Sequence, residues 1–189
     1  MTMRARRERE RAERKRLIVT AARKVAEAEG WNAVTTRRLS SEVACSQPAL
    51  YSHFKGKDAI TAAVAVQGFA GLATALRAAR MGAERGALAA VREAYTRFAR
   101  WRPALYDAMF TLTVDLPFAT AEAPAELQAA FGELRQAVVP MAGDGDDIGL
   151  LAETCWAGLR GLASLTRSGR LLGKARHRRL SLLERHFVA

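Results

Sequence analysis

From Leu17 onward the apolar residues recur at intervals of three and four. Leu17, Ala21, Val25 and Ala28 form one stripe, with Ile18, Ala22 and Ala26 beside it. This is the period of a helix that buries one face, and Gly30 stands where a helix ends in a left-handed residue. A second, short helix is predicted from an N-cap at Thr35 to about Ala44, with Leu39 and Val43 inward at i and i+4. Ser46 caps a third, about Gln47 to His53, whose first turn tolerates Pro48 because no N–H is needed there. Gly56 interrupts the pattern. Long apolar-periodic segments follow at about 57–80, 84–101, 103–114, 124–140, 146–168 and 174–187, punctuated by Gly82, Gly86, Pro103, Pro117, Pro124, Pro140 and the GDGDD stretch at 143–147. Nowhere do the residues alternate as a half-buried strand requires. The pattern predicts an all-α chain of about nine helices, three short ones followed by a bundle.

Charge divides the chain in a related way. The net charge of the 189 residues is +11, and residues 1–60 carry 14 Lys/Arg against 7 Asp/Glu. A basic first third suits a polyanionic partner, although a basic solvated face reads the same. Residues 1–16 hold eight Arg/Lys and three Glu with little apolar, which predicts a fraying helix or a disordered arm able to touch DNA phosphates. The two cysteines, Cys45 and Cys155, are far apart and lack metal-ligand spacing, so both read as small core residues in a reducing, cytoplasmic setting. No signal-type h-region follows the arginines, and no apolar run approaches the roughly 18 residues of a membrane span. No nucleophile–base pair, carboxylate pair, phosphate loop or metal cluster is present, which argues against an enzyme and against a cofactor.

Residues 35–57, TTRRLSSEVACSQPALYSHFKGK, carry the chemistry. Two short helices joined by a tight turn form a helix-turn-helix, whose second helix enters the DNA major groove. Thr35 and Ser46 sit at helix N-termini, where unpaired backbone N–H groups favour an anion. Pro48 shapes the leading turn of the second helix, and Gln47 and Ala49 face bases from it. Gln bonds adenine bidentately and Ala meets a thymine methyl. Tyr51, His53 and Lys57 follow at the far end with donors suited to phosphate, and one of Arg37 and Arg38 reaches the DNA backbone. Leu50 and Phe54, at i and i+4, point into the domain.

This stretch resembles the TetR family of transcriptional regulators. The match rests on Gly30, Thr35, Ser46, Leu50-Tyr51, His53-Phe54 and Lys57, and on the run SQPALYSHFKGKDAI, over roughly residues 14–62. The family usually has glycine where this chain has Ala44; a positive φ there costs about 1–2 kcal/mol, so a slightly different turn is expected. The resemblance implies an arm at 1–16, a DNA-binding domain at 17–56, and a helical ligand-binding and dimerisation domain at 57–189.

The run AETCWAGLRGLASLTRSGRL at 152–171 looks like the WHG type of C-terminal domain, with Trp156 and Gly161 matching and Arg160 in place of the histidine. Tyr95, Phe98, Trp101, Tyr106, Met109, Phe110 and Trp156 either line a ligand cavity, with Arg160 favouring an anionic group, or form plain core. By the resemblance, the last two helices pair with their copies as a four-helix dimer interface. Two recognition helices about 34–36 Å apart would then read a near-palindromic operator in double-stranded DNA. The expectation is a homodimeric repressor released by an unknown small-molecule effector. A regulator with a filled core, answering to a protein partner or to no ligand, is the alternative.

Overall fold

The computed structural model describes residues 2–84, 86–118 and 120–185. It is all-α. The helices are α1 (Met3–Glu29), α2 (Thr36–Glu42), α3 (Gln47–Tyr51), α4 (Lys57–Met81), α5 (Ala87–Trp101), α6 (Pro103–Phe110), α7 (Ala125–Val138), α8 (Ile148–Arg167) and α9 (Arg176–Arg185). Short 3-10 turns at Val139–Met141 and Gly173–Ala175 complete the set, and no strand occurs among the described residues. The end of the last predicted helix, at 187, lies outside those residues.

Residues 3–16 are the first half of α1 rather than a disordered arm. Arg4 and Glu8 pair at 3.1 Å and Arg6 and Glu10 at 2.9 Å, one helical turn apart, and Arg16 pairs with Glu13 at 2.8 Å. Such pairs each stabilise a helix by about 0.2–0.5 kcal/mol, which offsets the lack of an apolar face. At the other end Gly30, with φ 83° and ψ 166°, closes α1 in a region open essentially to glycine alone, its N–H donating to the Ala26 carbonyl.

The chain forms two compact units, and neither is a continuous stretch. The first holds the chain up to Gly68 together with Arg102–Glu122; the second holds Phe69–Trp101 and the chain from Ala123 onward. These bounds differ from the linear division expected at residue 56. The first half of α4 and all of α6 belong with the helix-turn-helix.

In the first unit α1 packs on α2 and α6 around Ile18, Ala22, Val25, Val34, Leu39, Leu50, Ile60, Leu105 and Met109, all buried. Trp31 fastens this arrangement through a hydrogen bond from Nε1 to the Ala104 carbonyl at 3.0 Å. A Cβ on Gly68 would lie 2.5 Å from Sδ of Met109, so the glycine permits the close approach of α6 to α4. α6 ends sooner than its apolar period suggests. Thr111 and Leu112 both donate to the Asp107 carbonyl, at 2.9 and 2.8 Å, and the chain leaves the helix.

In the second unit α5, α7 and α8 pack mutually and α9 joins α5 and α8. Leu88, Val91, Tyr95, Leu134, Ala137, Cys155 and Leu159 supply its core. Asp147 caps α8 with its side chain, accepting from the N–H groups of Gly149 and Leu150. Glu133 on α7 is buried and bonded to two cations of α4, Arg77 at 2.7 Å and Arg80 at 2.8 Å. Burial alone pushes its carboxyl upward, but the hydrogen bonds from Arg77 and Arg80 outweigh that and hold it below the usual carboxylate range.

One expectation about membranes fails as stated. α4 is long and apolar enough to cross a bilayer by length and composition. Ile60, Val64, Ala65, Phe69, Leu72 and Leu76 along it are all buried within the protein, the signature of a core helix whose outer face is Ala-rich.

Candidate nucleic-acid interface

The turn between α2 and α3 is set by backbone hydrogen bonds at the end of α2. Ala44 N–H donates to the Ser41 carbonyl at 3.3 Å and Cys45 N–H to the Ser40 carbonyl at 2.9 Å. These two bonds form a Schellman ending, which requires a left-handed residue at the first position past the cap. Ala44 fills it with φ 49°, the sole positive φ of a non-glycine among the described residues. The different turn expected on account of alanine is thus not adopted. The chain keeps the glycine geometry and carries about 1–2 kcal/mol of strain instead.

Ser46 follows at once as the N-cap of α3, its hydroxyl accepting from the Ala49 N–H at 3.2 Å. Thr35 does the same for α2, accepting from the Arg38 N–H at 3.1 Å. The predicted caps are therefore present. Leu50 is fully buried and Phe54 nearly so, which anchors α3 from below, while Gln47, Pro48, Ala49 and Tyr51 stand exposed on its outer side. Tyr51 keeps 51% of its surface open, a large share for an aromatic side chain. Arg37 is exposed, whereas Arg38 is engaged by Glu29 at 3.0 Å and Glu42 at 3.1 Å.

The far end of the motif departs from a simple row of phosphate donors. Lys57 is half-buried and its ammonium donates to the Trp31 carbonyl at 2.7 Å. His53 is half-buried with Nδ1 enclosed and without a hydrogen-bond partner. Burial first, then the positive charges of Arg11, Lys15 and Arg14, push its imidazole below the usual histidine range. It is therefore neutral at pH 7.

Sequence spacing did not single out those three cations as site residues. Arg11 donates to the Ser52 carbonyl at 3.4 Å, Arg14 to the Val43 carbonyl at 3.5 Å, and the Lys15 ammonium lies 5.8 Å over the Phe54 ring. The N-terminal half of α1 thus lies along the motif and places cations at the carbonyl ends of α2 and α3, where the helix dipoles favour them. The i, i+4 spacing of Arg4 with Glu8 and Arg6 with Glu10 was the available signal that this stretch is helical.

The eight residues considered for a ligand cavity are divided between the two units. Tyr106, Met109 and Phe110 belong to the first unit, and Tyr95, Phe98, Trp101, Trp156 and Arg160 to the second. Tyr95, Tyr106 and Met109 are buried as ordinary core, with the Tyr106 and Phe110 rings tilted against each other at 4.8 Å. Trp156 meets Phe131 at 6.1 Å. Trp101 is 70% exposed, and Arg160 is exposed as well. The second unit does contain a cavity of about 240 Å³, between α5, α8 and α9, but none of the eight lines it. Cys45 and Cys155 are both free thiols, and burial pushes the Cys155 thiol up to about 11, which leaves it inert.

Comparison with known proteins agrees with this arrangement. Residues 18–64 match the model of bacterial regulatory proteins of the tetR family, and residues 88–187 match the tetracyclin repressor-like C-terminal domain. An uncharacterized HTH-type transcriptional regulator of Bacillus subtilis (strain 168), YobS, is 35% identical over 95 residues, about half the length of either chain. A solved protein of unknown function from Rhodococcus sp. RHA1 superposes with a TM-score of 0.74 at 25% identity, covering 92% of this chain and 93% of its own. A TetR-family transcriptional regulator from Streptomyces coelicolor has the same fold, with a TM-score of 0.63 at 17% identity over 93% of this chain and 97% of its own.

Proposed function

The chain belongs to the TetR family of bacterial DNA-binding transcriptional regulators, and from that premise we propose that it is a cytoplasmic homodimeric repressor, released from a near-palindromic operator by a small molecule. Family membership makes it a regulator and not an enzyme. The finer reading rests on one observation above all: α3 is anchored by buried Leu50 and Phe54 while Gln47, Ala49 and Tyr51 stand open on its outer side. Gln47 and Ala49 read bases; Thr35, Arg37, Ser46 and Tyr51 hold phosphates, with Pro48 fixing the first turn. Lys57 adds a phosphate contact through donors left over from its bond to Trp31, since an ammonium has three.

Release follows from differential binding. A ligand that favours the state whose recognition helices are misspaced for successive major grooves lowers affinity for the operator. The cavity in the second unit supports the ligand-responsive version. The burial of Tyr95, Tyr106 and Met109 as core favours, for that aromatic set, the filled-core alternative.

Selection of bound duplexes from a randomised pool tests the DNA-reading part. Two inverted half-sites one helical turn apart are expected. A pool that stays random after repeated rounds overturns it.

A further inference from the structure

The 240 Å³ cavity of the second unit has an unusual lining. Arg100 comes from the last turn of α5, Arg167 from the end of α8, and Arg176 and Arg179 from the first turn of α9. The remainder is a short apolar floor, chiefly Leu162 and Leu180, with two threonines at its edge. Among the described residues no carboxylate lines it.

Two of the arginines have structural reasons to be there. Helix C-termini attract cations, and Arg167 donates to the Ala99 carbonyl at 2.9 Å. The other two run against the same physics. The first turn of α9 carries Arg176, His177, Arg178 and Arg179 and no acid, whereas a helix N-terminus disfavours positive charge. Glu93 answers Arg176 at 2.6 Å, and Arg179 donates to the Leu172 carbonyl at 2.7 Å. Four guanidiniums and no acidic side chain are among the described residues that line the pocket, and each guanidinium has five N–H donors. Charge gathered against the helix dipole around a half-open pocket is stabilised when an anion occupies it.

We propose that this cavity binds a small organic oxyanion, a carboxylate or phosphate head on a short apolar body, and that this anion is the effector. The effector role rests on the proposal that the chain is a ligand-released repressor. Guanidinium forks match either head group bidentately, and Leu162 and Leu180 receive the apolar part. The volume is below the usual range of about 300–1,000 Å³ for ligand pockets, so the molecule is small. α5 gives the signal a covalent route. Arg100 lies two residues before the chain passes at Arg102 into the unit that carries the helix-turn-helix.

Calorimetric titration of the full-length protein at low ionic strength tests the site, with phenylacetate and phenyl phosphate as probes and neutral phenylacetamide as control. At least one anion is expected to bind ten-fold or more tightly than the amide, and Arg100→Gln to weaken it ten-fold or more. Arg100→Lys keeps the charge and restores part of the loss, which separates recognition from a folding defect, and circular dichroism verifies the fold of each variant. Equal affinity for the amide, or no binding of either anion, overturns the proposal. The same anion is then titrated into a preformed complex with a selected duplex, where release is expected. Binding of the anion without release overturns the effector role. Failure to find any selected duplex strikes the DNA-reading account, while the calorimetric result still decides whether the cavity binds the anion.

Discussion

The ammonium of Lys57 lies 2.7 Å from the carbonyl oxygen of Trp31, whose indole donates in turn to the Ala104 carbonyl at 3.0 Å. One side chain at the start of α4 thereby holds the loop after α1, and that loop holds α6. A residue proposed to meet DNA phosphate is also a brace of the domain that presents α3. Lys57→Ala is expected to cost about 1.5–3 kcal/mol in denaturant unfolding, the scale of a hydrogen bond from a charged donor. It is also expected to reduce the slope of log affinity against log salt by about one. A stability loss with an unaltered slope would leave only the brace.

Ala44 carries its strain openly. Glycine at this position relieves the left-handed penalty but loosens the unfolded chain, so Ala44→Gly should raise stability by about 0.5–1 kcal/mol net. Thermal unfolding measures it. A decrease would mean that the φ of 49° at Ala44 is not a source of strain.

His53 gives the first unit a pH dependence. Its folded-state affinity for a proton is lowered by burial and by Arg11, Lys15 and Arg14, so the unfolded chain takes up the proton first as pH falls. Stability is whole above the ordinary histidine range near pH 6.5 and declines as pH drops through it toward the lower folded value. His53→Gln should flatten the decline between about pH 7 and pH 5 in unfolding curves. A variant with the same pH profile as the parent would remove His53 from the explanation.

Glu133 also loses its contribution as pH falls, but over a lower range and for a different reason. Its folded carboxyl is held down by Arg77 and Arg80, so the stability it confers is present above about pH 4.3 and is lost as pH falls further, through the folded value. Glu133→Ala leaves Arg80, itself three-quarters covered, facing a void, and should cost roughly 3 kcal/mol at neutral pH. Arg77→Ala, at a side chain 61% exposed, should cost well under half of that. Paired urea titrations separate the two, and equal losses would contradict the assignment of the buried partner.

What the sequence revealed and what it hid follow from the range of the forces involved. Caps are local, so Thr35 and Ser46 could be read from residue type and spacing and accept the bonds expected of them. The inward pair Leu50 and Phe54 was legible because i, i+4 spacing fixes a face. Ala44 misled because its own preference opposes φ 49°, while the two backbone bonds that impose it depend on where the next helix must begin. α6 was placed correctly as a helix, but its packing on α1, with the whole of α4 and α5 between them in the chain, leaves no local signal. Aromatic periodicity marks burial without saying beside what, so it gathered Tyr106 from one unit and Trp156 from the other. The four arginines of the cavity come from three separate helices, and only Arg176 and Arg179 share a helical spacing.

Two copies of α3 are proposed to read one operator, with Gln47 discriminating bases. The most direct test is a quantitative titration of a selected duplex and of duplexes mutated at each position, for the parent protein and for Gln47→Ala. The parent is expected to bind as one dimer per inverted repeat and to lose about 1–3 kcal/mol for the wrong base at the position Gln47 reads, a discrimination that Gln47→Ala abolishes at that position alone. Binding as a monomer, or a base preference identical in the variant, would contradict it.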